Sequence, residues 1–169
     1  YKRFTIDVGG KQKTITVGGR VDRLDEIRLN TPEEQLRVVD YKTGNKVAGQ
    51  LKDVDAIFDS GKILTDKSDY IFQAVLYSII EQTNDADNNP NHKPVSPALL
   101  FIQHVGSDHY SPIVTLGGEP VTNAAAYEAD FENFLKAKLE ELFGSETFVP
   151  TSNQRICEYC PYNQLCGRG

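Results

Sequence analysis

The chain has 169 residues, 39% of them hydrophobic and 25% charged, with three cysteines and no methionine. That is the make-up of a one-domain globular protein, not of a disordered or collagen-like chain. The net charge of −6 argues against a protein that coats nucleic acid by bulk electrostatics, while leaving room for an enzyme that meets phosphates locally. No apolar run approaches the ~20 residues of a membrane span, and YKRFTIDV lacks a signal-peptide core. The expectation is a cytoplasmic protein with no membrane partner. Because it opens inside a strand-like pattern without methionine, it is expected to be a single domain cut from a larger polypeptide.

In chain order, residues 4–8 and 13–17 alternate with period two around Gly9-Gly10 and predict a β-hairpin. A third strand is expected over 19–28, a break at Asn30, Thr31 and Pro32, and a fourth strand over 36–42. Residues 45–67 are mixed, with a short helix at Val54 to Phe58 and a break at Ser60-Gly61. From Ser68 the period changes: Ile71, Phe72, Val75, Leu76, Ile79 and Ile80 recur at helical spacing, with Ser68 or Asp69 placed to cap the first turn. A polar loop over 84–94 leads to strands at 98–105 and 112–116. A long helix over 123–143 is expected to bury Tyr127, Phe131, Phe134, Leu135, Leu139 and Leu142 and to stop at Gly144. The fold class is therefore α/β or α+β, with the hairpin, both charged strands and the 98–105 strand in one mixed sheet flanked by helices.

Two strands carry charge where burial is expected. Asp40 and Lys42 are two residues apart and share a strand face. If Asp22 lies across from them, two carboxylates and an ammonium converge. A buried carboxylate persists only if it is paired, neutralised or bound to a cation. Two hard oxygen donors suit Mg²⁺ or Mn²⁺, which takes its remaining ligands from water and substrate phosphate. A protonated lysine is no ligand, but it can orient an attacking water and stabilise developing negative charge. The competing reading is a solvated strand face, with Asp22, Arg23 and Asp25 in cross-strand ion pairs and Asp40 with Lys42 as one such pair.

Gly19-Arg20-Val21-Asp22-Arg23-Leu24-Asp25, then Asp40-Tyr41-Lys42-Thr43-Gly44, then Gln73 and Tyr77 as Q-x3-Y, resemble in order the PD-(D/E)XK nucleases of the RecB-like branch. The resemblance implies a restriction-endonuclease-like core and hydrolysis of DNA. In it Asp22 and Asp40 are metal-binding carboxylates, the Tyr41 carbonyl is a further ligand, and Lys42 activates water. Gln73 and Tyr77, one helical turn apart, help organise the site and the DNA strand. Arg20, Arg23 and Asp25 orient the carboxylates or touch phosphate.

The tail CEYCPYNQLCG, with Cys157, Cys160 and Cys166 within ten residues, is unlike a disulfide framework and reads as a cysteine-rich metal-binding loop over 150–169. It resembles the tails of AddB-like helicase-nucleases and CRISPR adaptation exonucleases, in which a fourth, upstream cysteine completes a [4Fe-4S] cluster. Zinc with a histidine is the competing metal reading, and cysteines free of metal the third. The resemblance also implies an upstream His or Glu in the metal shell, which no residue here matches, so weak catalysis by this chain alone is expected. His92, His104 and His109 are read as incidental.

The expected function is thus a metal-dependent exonuclease on single-stranded DNA ends, partnered by a helicase domain or helicase-nuclease subunit in double-strand-break repair. A free-standing CRISPR-adaptation-type exonuclease and a noncatalytic DNA-binding module that keeps the fold are the alternatives.

Overall fold

The structure, a computed structural model, describes residues 1–28, 34–84, 88–158 and 160–168. The chain begins with β1 (Lys2–Val8) and β2 (Lys11–Val17), paired antiparallel with Val8 opposite Lys11. Gly9 and Gly10 both have positive φ, 61° and 78°, as a two-residue turn matching the right-handed twist of a hairpin requires. The alternation in β1 buries Phe4 and Ile6, while β2 is mostly exposed.

Next come β3 (Arg23–Ile27) and β4 (Gln35–Lys42); the expected break at Asn30, Thr31 and Pro32 lies outside the described residues. After a 3-10 turn at Asp55–Phe58, two helices follow, α1 (Lys62–Asp66) and α2 (Ser68–Thr83), then β5 (Val95–Phe101). The sheet order is β3-β4-β5, with β3 antiparallel and β5 parallel to β4. This is the expected central mixed sheet, with one correction: the hairpin forms a sheet of its own. Gly18 and Gly19 end the ladder, and β1 turns its buried side chains to the helices instead of pairing β2 with β3.

The helix from Ser68 forms as its period demands, but neither Ser68 nor Asp69 caps it. Lys67, in the left-handed region at φ 55°, ends α1 and begins α2 without a side-chain cap, and the Ser68 hydroxyl is buried with no hydrogen-bond partner. α2 packs Ile71, Val75 and Ile79 against Leu99 and Phe101 of β5. The 98–105 strand is displaced: β5 starts at Val95 and stops at Phe101, where a 3-10 turn, Ile102–His104, carries the exposed Ile102 outward.

The strand expected over 112–116 shrinks to β6 (Thr115–Leu116), paired with β7 (Glu119–Pro120). Residues 112–114 instead run along the free edge of β5, with Leu99 N–H donating to Pro112 O (2.8 Å) and Val114 N–H to Pro97 O (3.1 Å). Pro112 and Pro97 have no N–H to return, so a full ladder cannot form there.

A 3-10 turn, Ala124–Tyr127, opens α3 (Glu128–Gly144), followed by α4 (Gln154–Cys157). Phe131 and Leu135 are buried as expected, Tyr127, Phe134 and Leu139 partly so, and Leu142 faces solvent because the core ends one turn earlier. Phe58 sits 5.1 to 5.7 Å, centroid to centroid, from Phe72, Phe131 and Phe134, and Phe72 lies 5.3 Å from Phe131, so the rings join the first 3-10 turn, α2 and α3. Among the described residues no helix is long and apolar enough to cross a membrane.

Lys2 pins β1 to α3 through Glu128 and through Glu132 at 2.6 Å. Burial pushes the Glu128 carboxyl up, but hydrogen bonds from Lys2 and Thr83 outweigh it and hold the group below its ordinary value; burial likewise opposes the charge on Lys2, and the two carboxylates overcome it to raise the ammonium. A carboxyl whose folded pKa is lowered stabilises above its unfolded value and loses that contribution as pH falls through the folded one. The urea midpoint of the native chain should therefore exceed that of Lys2→Met at neutral pH. The gap should close as pH drops below about 4.3, the ordinary glutamate value. A gap of the same size at pH ~3 as at neutral pH would show that the ion pairs contribute nothing.

Candidate active site

The β3–β4 register sets Arg23 opposite Val39. One step further it puts Asp22, in the bend just before β3, opposite Asp40, so the two carboxylates meet on one face. Asp22 Oδ2 accepts a hydrogen bond from the Tyr41 amide at 3.0 Å, which ties the entry of β3 to the end of β4. Asp40 is buried at 5% exposure. Its Oδ2 lies 2.5 Å from Lys42 Nζ but off the line of a hydrogen bond, and has no other partner. Burial pushes the Asp40 carboxyl up, Lys42 pulls it down, and the neighbouring Asp22 charge adds to the rise, which wins. Adding positive charge would relieve both the burial and the repulsion.

Lys42 is held from α2. Its ammonium sits 4.1 Å from the Tyr70 ring centroid and donates to Gln73 Oε1 at 3.2 Å. Gln73 Nε2 in turn donates to the Tyr77 hydroxyl at 3.3 Å. Tyr70, Gln73 and Tyr77, at i, i+3 and i+7, form one stripe along the helix. The Tyr77 hydroxyl abuts Gly19, where a Cβ would lie 2.0 Å from the oxygen. The contacts form a closed circuit from Gly19 through Tyr77, Gln73, Lys42 and Asp40 to Asp22, three residues along from Gly19. Beyond β4, Gln103 Nε2 donates to Thr43 O (2.9 Å) and a His104 ring nitrogen lies 2.6 Å from Asn45 O, so the loop after Lys42 is fastened to the turn after β5.

The structure thus brings together Asp22, Asp40, Lys42, Gln73 and Tyr77. It does not bring Arg23 and Asp25 to them. By strand alternation these two share the opposite sheet face with Val39, where Arg23 Nε binds Asp25 at 2.5 Å and Nη1 donates to the Tyr41 hydroxyl at 3.2 Å. Asp25 chiefly, then Tyr41, raises the Arg23 pKa. Arg20 is exposed. The expected placing of Arg23 and Asp25 as orienters of the carboxylates therefore gives way to an ion pair on the far face.

The cysteine loop also departs from expectation. Cys157 is buried, Cys160 half-buried and Cys166 exposed, all as free thiols, and Arg168 Nη1 lies 3.6 Å from Cys157 Sγ. Among the described residues no group of three His, Cys, Asp or Glu side chains is arranged to hold a metal. The iron-sulfur cluster and the zinc alternative therefore find no support among the described residues.

The Asp22–Asp40 pair fits a divalent cation better. A buried carboxylate oxygen without an aligned donor, next to a second carboxylate, is the hard donor set that Mg²⁺ or Mn²⁺ takes.

Residues 2–167 match the family model of the PD-(D/E)XK nuclease superfamily. The chain belongs to that superfamily. Curated proteins and solved structures give no match. The mixed sheet flanked by helices is consistent with the restriction-endonuclease-like core of a PD-(D/E)XK nuclease, and Asp40-Tyr41-Lys42 has the D-x-K spelling that the superfamily's name records.

Sequence reasoning missed Tyr70. Its spacing from Gln73 and Tyr77 was a usable signal, but a tyrosine at helical spacing is usually core. It also missed why Gly19 is glycine, since a contact made through the absence of a Cβ has no local signature. Gly19→Ala should cost ~1–3 kcal/mol in urea denaturation by driving a methyl into Tyr77. In a Tyr77→Ala background the same change should cost close to nothing. Equal costs in the two backgrounds would contradict the contact.

Proposed function

We propose that this PD-(D/E)XK nuclease is a Mg²⁺- or Mn²⁺-dependent deoxyribonuclease of the RecB-like branch that degrades single-stranded DNA ends alongside a helicase. The observation that carries the reading is the buried Asp40 Oδ2, which lacks an aligned hydrogen bond beside Asp22 and Lys42. The RecB-like assignment rests on the order G-x-x-D-R-x-D, D-Y-K-T-G, Q-x3-Y. Asp22 and Asp40, with the Tyr41 carbonyl, would hold the cation, which when bound would polarise the scissile phosphate and ease ionisation of water.

The chain's own side chains do the rest. Asp22 is exposed while Asp40 is buried, so phosphate approaches from the Asp22 side and Asp40 stays dry. Lys42 donates to the attacking water and to the phosphate oxygen on which negative charge grows. Gln73 and the face of Tyr70 fix the ammonium from two directions. The lysine therefore reaches the transition state already oriented, with less rotamer freedom left to lose.

Asp40→Asn removes a charge from the metal shell and should lower metal affinity, read by calorimetry, as well as turnover. Lys42→Ala should leave metal affinity intact. Each should cost on the order of 10²-fold in cleavage of single-stranded DNA, and excess Mn²⁺ should restore part of the Asp40→Asn loss and none of the Lys42→Ala loss. A Lys42→Ala protein that cuts as fast as the native chain would sink the assignment.

The ring of Tyr70 generates a separate expectation. A cation over an aromatic face is worth ~1–2 kcal/mol when partly desolvated. Tyr70→Leu should lower kcat by about tenfold with KM and the melting temperature little changed, whereas Tyr70→Phe, which keeps the face, should retain the native rate. Loss in both variants would assign the effect to the hydroxyl instead.

A further inference from the structure

At the free edge of β5, on the α2 side, lies a cavity of about 260 Å³. Its walls are the loop at Val47 to Gln50, Ile71 at the start of α2, Leu99 and Phe101 at the end of β5, and the segment at His109 to Thr115. In a chain that is 25% charged, none of its lining residues is Asp, Glu, Lys or Arg. A phosphate or a carboxylate would find no lysine or arginine there and a divalent cation no carboxylate, with the His109 ring the one basic side chain in the wall. A flat, uncharged ring would find apolar walls, and the size falls just under the ~300 Å³ at which sites for larger organic ligands begin.

The wall contributed by Tyr110 is fixed. Its hydroxyl accepts from Phe101 N–H at 2.7 Å and donates to Leu99 O at 2.5 Å, so it stands in for a missing strand partner and cannot swing away. Polar groups stand among the apolar walls in the Gln50 amide and the Ser111 hydroxyl. These can meet the hydrogen-bonding edge of a base without discriminating strongly between bases.

The cavity also adjoins the catalytic cluster. Phe101 is opposite Lys42 in the β4–β5 register. The Tyr70 ring lies 6.3 Å from the Phe101 ring and 4.1 Å from Lys42 Nζ. Two rings in series separate the ammonium from the cavity, so a phosphate at Lys42 and a base in the cavity can belong to one short stretch of strand.

We propose that this cavity receives one unstacked nucleobase of the DNA strand being cut. The inference rests on the nuclease reading above and deepens it. A base enters only when unpaired, so the cavity selects single strands over duplex and sets where along the strand the scissile phosphate comes to rest. Its preference among the four bases is weak, because every base has an apolar face to offer.

The test fills the cavity with Ala48→Leu and, separately, Ser111→Leu, each checked for a native melting temperature. Single-stranded oligonucleotides carry 2-aminopurine at successive positions, and binding is read by fluorescence in EDTA, where nothing is cut. One position should respond with the native chain and fall silent with either variant. In the cleavage assay the variants should raise KM for single-stranded DNA about tenfold, the worth of one base–aromatic contact, with kcat little changed. An abasic site at the responding position should impose the same KM penalty on the native chain and no further penalty on the variants. Variants that keep the native KM and fluorescence response would overturn the cavity's role, as would an abasic penalty equal in native and filled proteins. A native chain that shows the fluorescence response yet never cuts DNA would support the cavity and defeat the nuclease reading, so the two failures are separable.

Discussion

The site is organised around one buried negative charge. Asp40 is almost wholly removed from water, beside a second carboxylate, with its outer oxygen unaligned to any donor. A lone carboxylate in that position would cost several kcal/mol or take up a proton. Lys42 at 2.5 Å offsets part of this cost, and the rest is the opening for a cation. Much of the surrounding architecture serves this arrangement. β4 is central, so Asp40 is shielded by β5 on one side, by β3 on the other and by α2 over its face. The Tyr41 amide draws Asp22 in from the bend.

Lys42 is the second fixed point, and α2 is what fixes it. The helix has two stripes with different tasks. Ile71, Val75 and Ile79 bury against β5, while Tyr70, Gln73 and Tyr77 run along the flank over β4. Burial of the first stripe sets the height and rotation at which the second meets the lysine, so core packing and chemistry are linked through one rigid element. Gly19 completes the link, since any larger residue would push Tyr77, and through it Gln73, off the ammonium.

The free edge of β5 shows how a sheet can end without inviting another strand. The Tyr110 hydroxyl takes both a donor and an acceptor of that edge, and the prolines at 97 and 112 deny the ladder two of its donors. The space left between this edge and the start of α2 is the cavity, whose lining holds no Asp, Glu, Lys or Arg and which adjoins the Lys42 cluster through the Phe101 and Tyr70 rings.

How much of this was legible depends on the range of the interactions involved. The period-two alternation, the Gly9-Gly10 turn and the helical spacing after Ser68 are local signals, and the hairpin, β4 and α2 formed where those signals put them. The order of the charged motifs pointed to the superfamily and to the residues that meet, because i, i+2 on a strand and i, i+4 on a helix already commit side chains to a common face. Sequence could not decide which face Arg23 and Asp25 would take, since that follows from a register set by pairing with β4. Nor could it decide that the hairpin would leave the main sheet for α3, that Leu142 would lie beyond the end of the core, or that Tyr70 would lie under Lys42. The closely spaced cysteines show the same limit: proximity along the chain did not by itself assemble a metal-holding group among the described residues. Local periodicity fixes which way a side chain points from its own element, but only tertiary packing decides what stands opposite it.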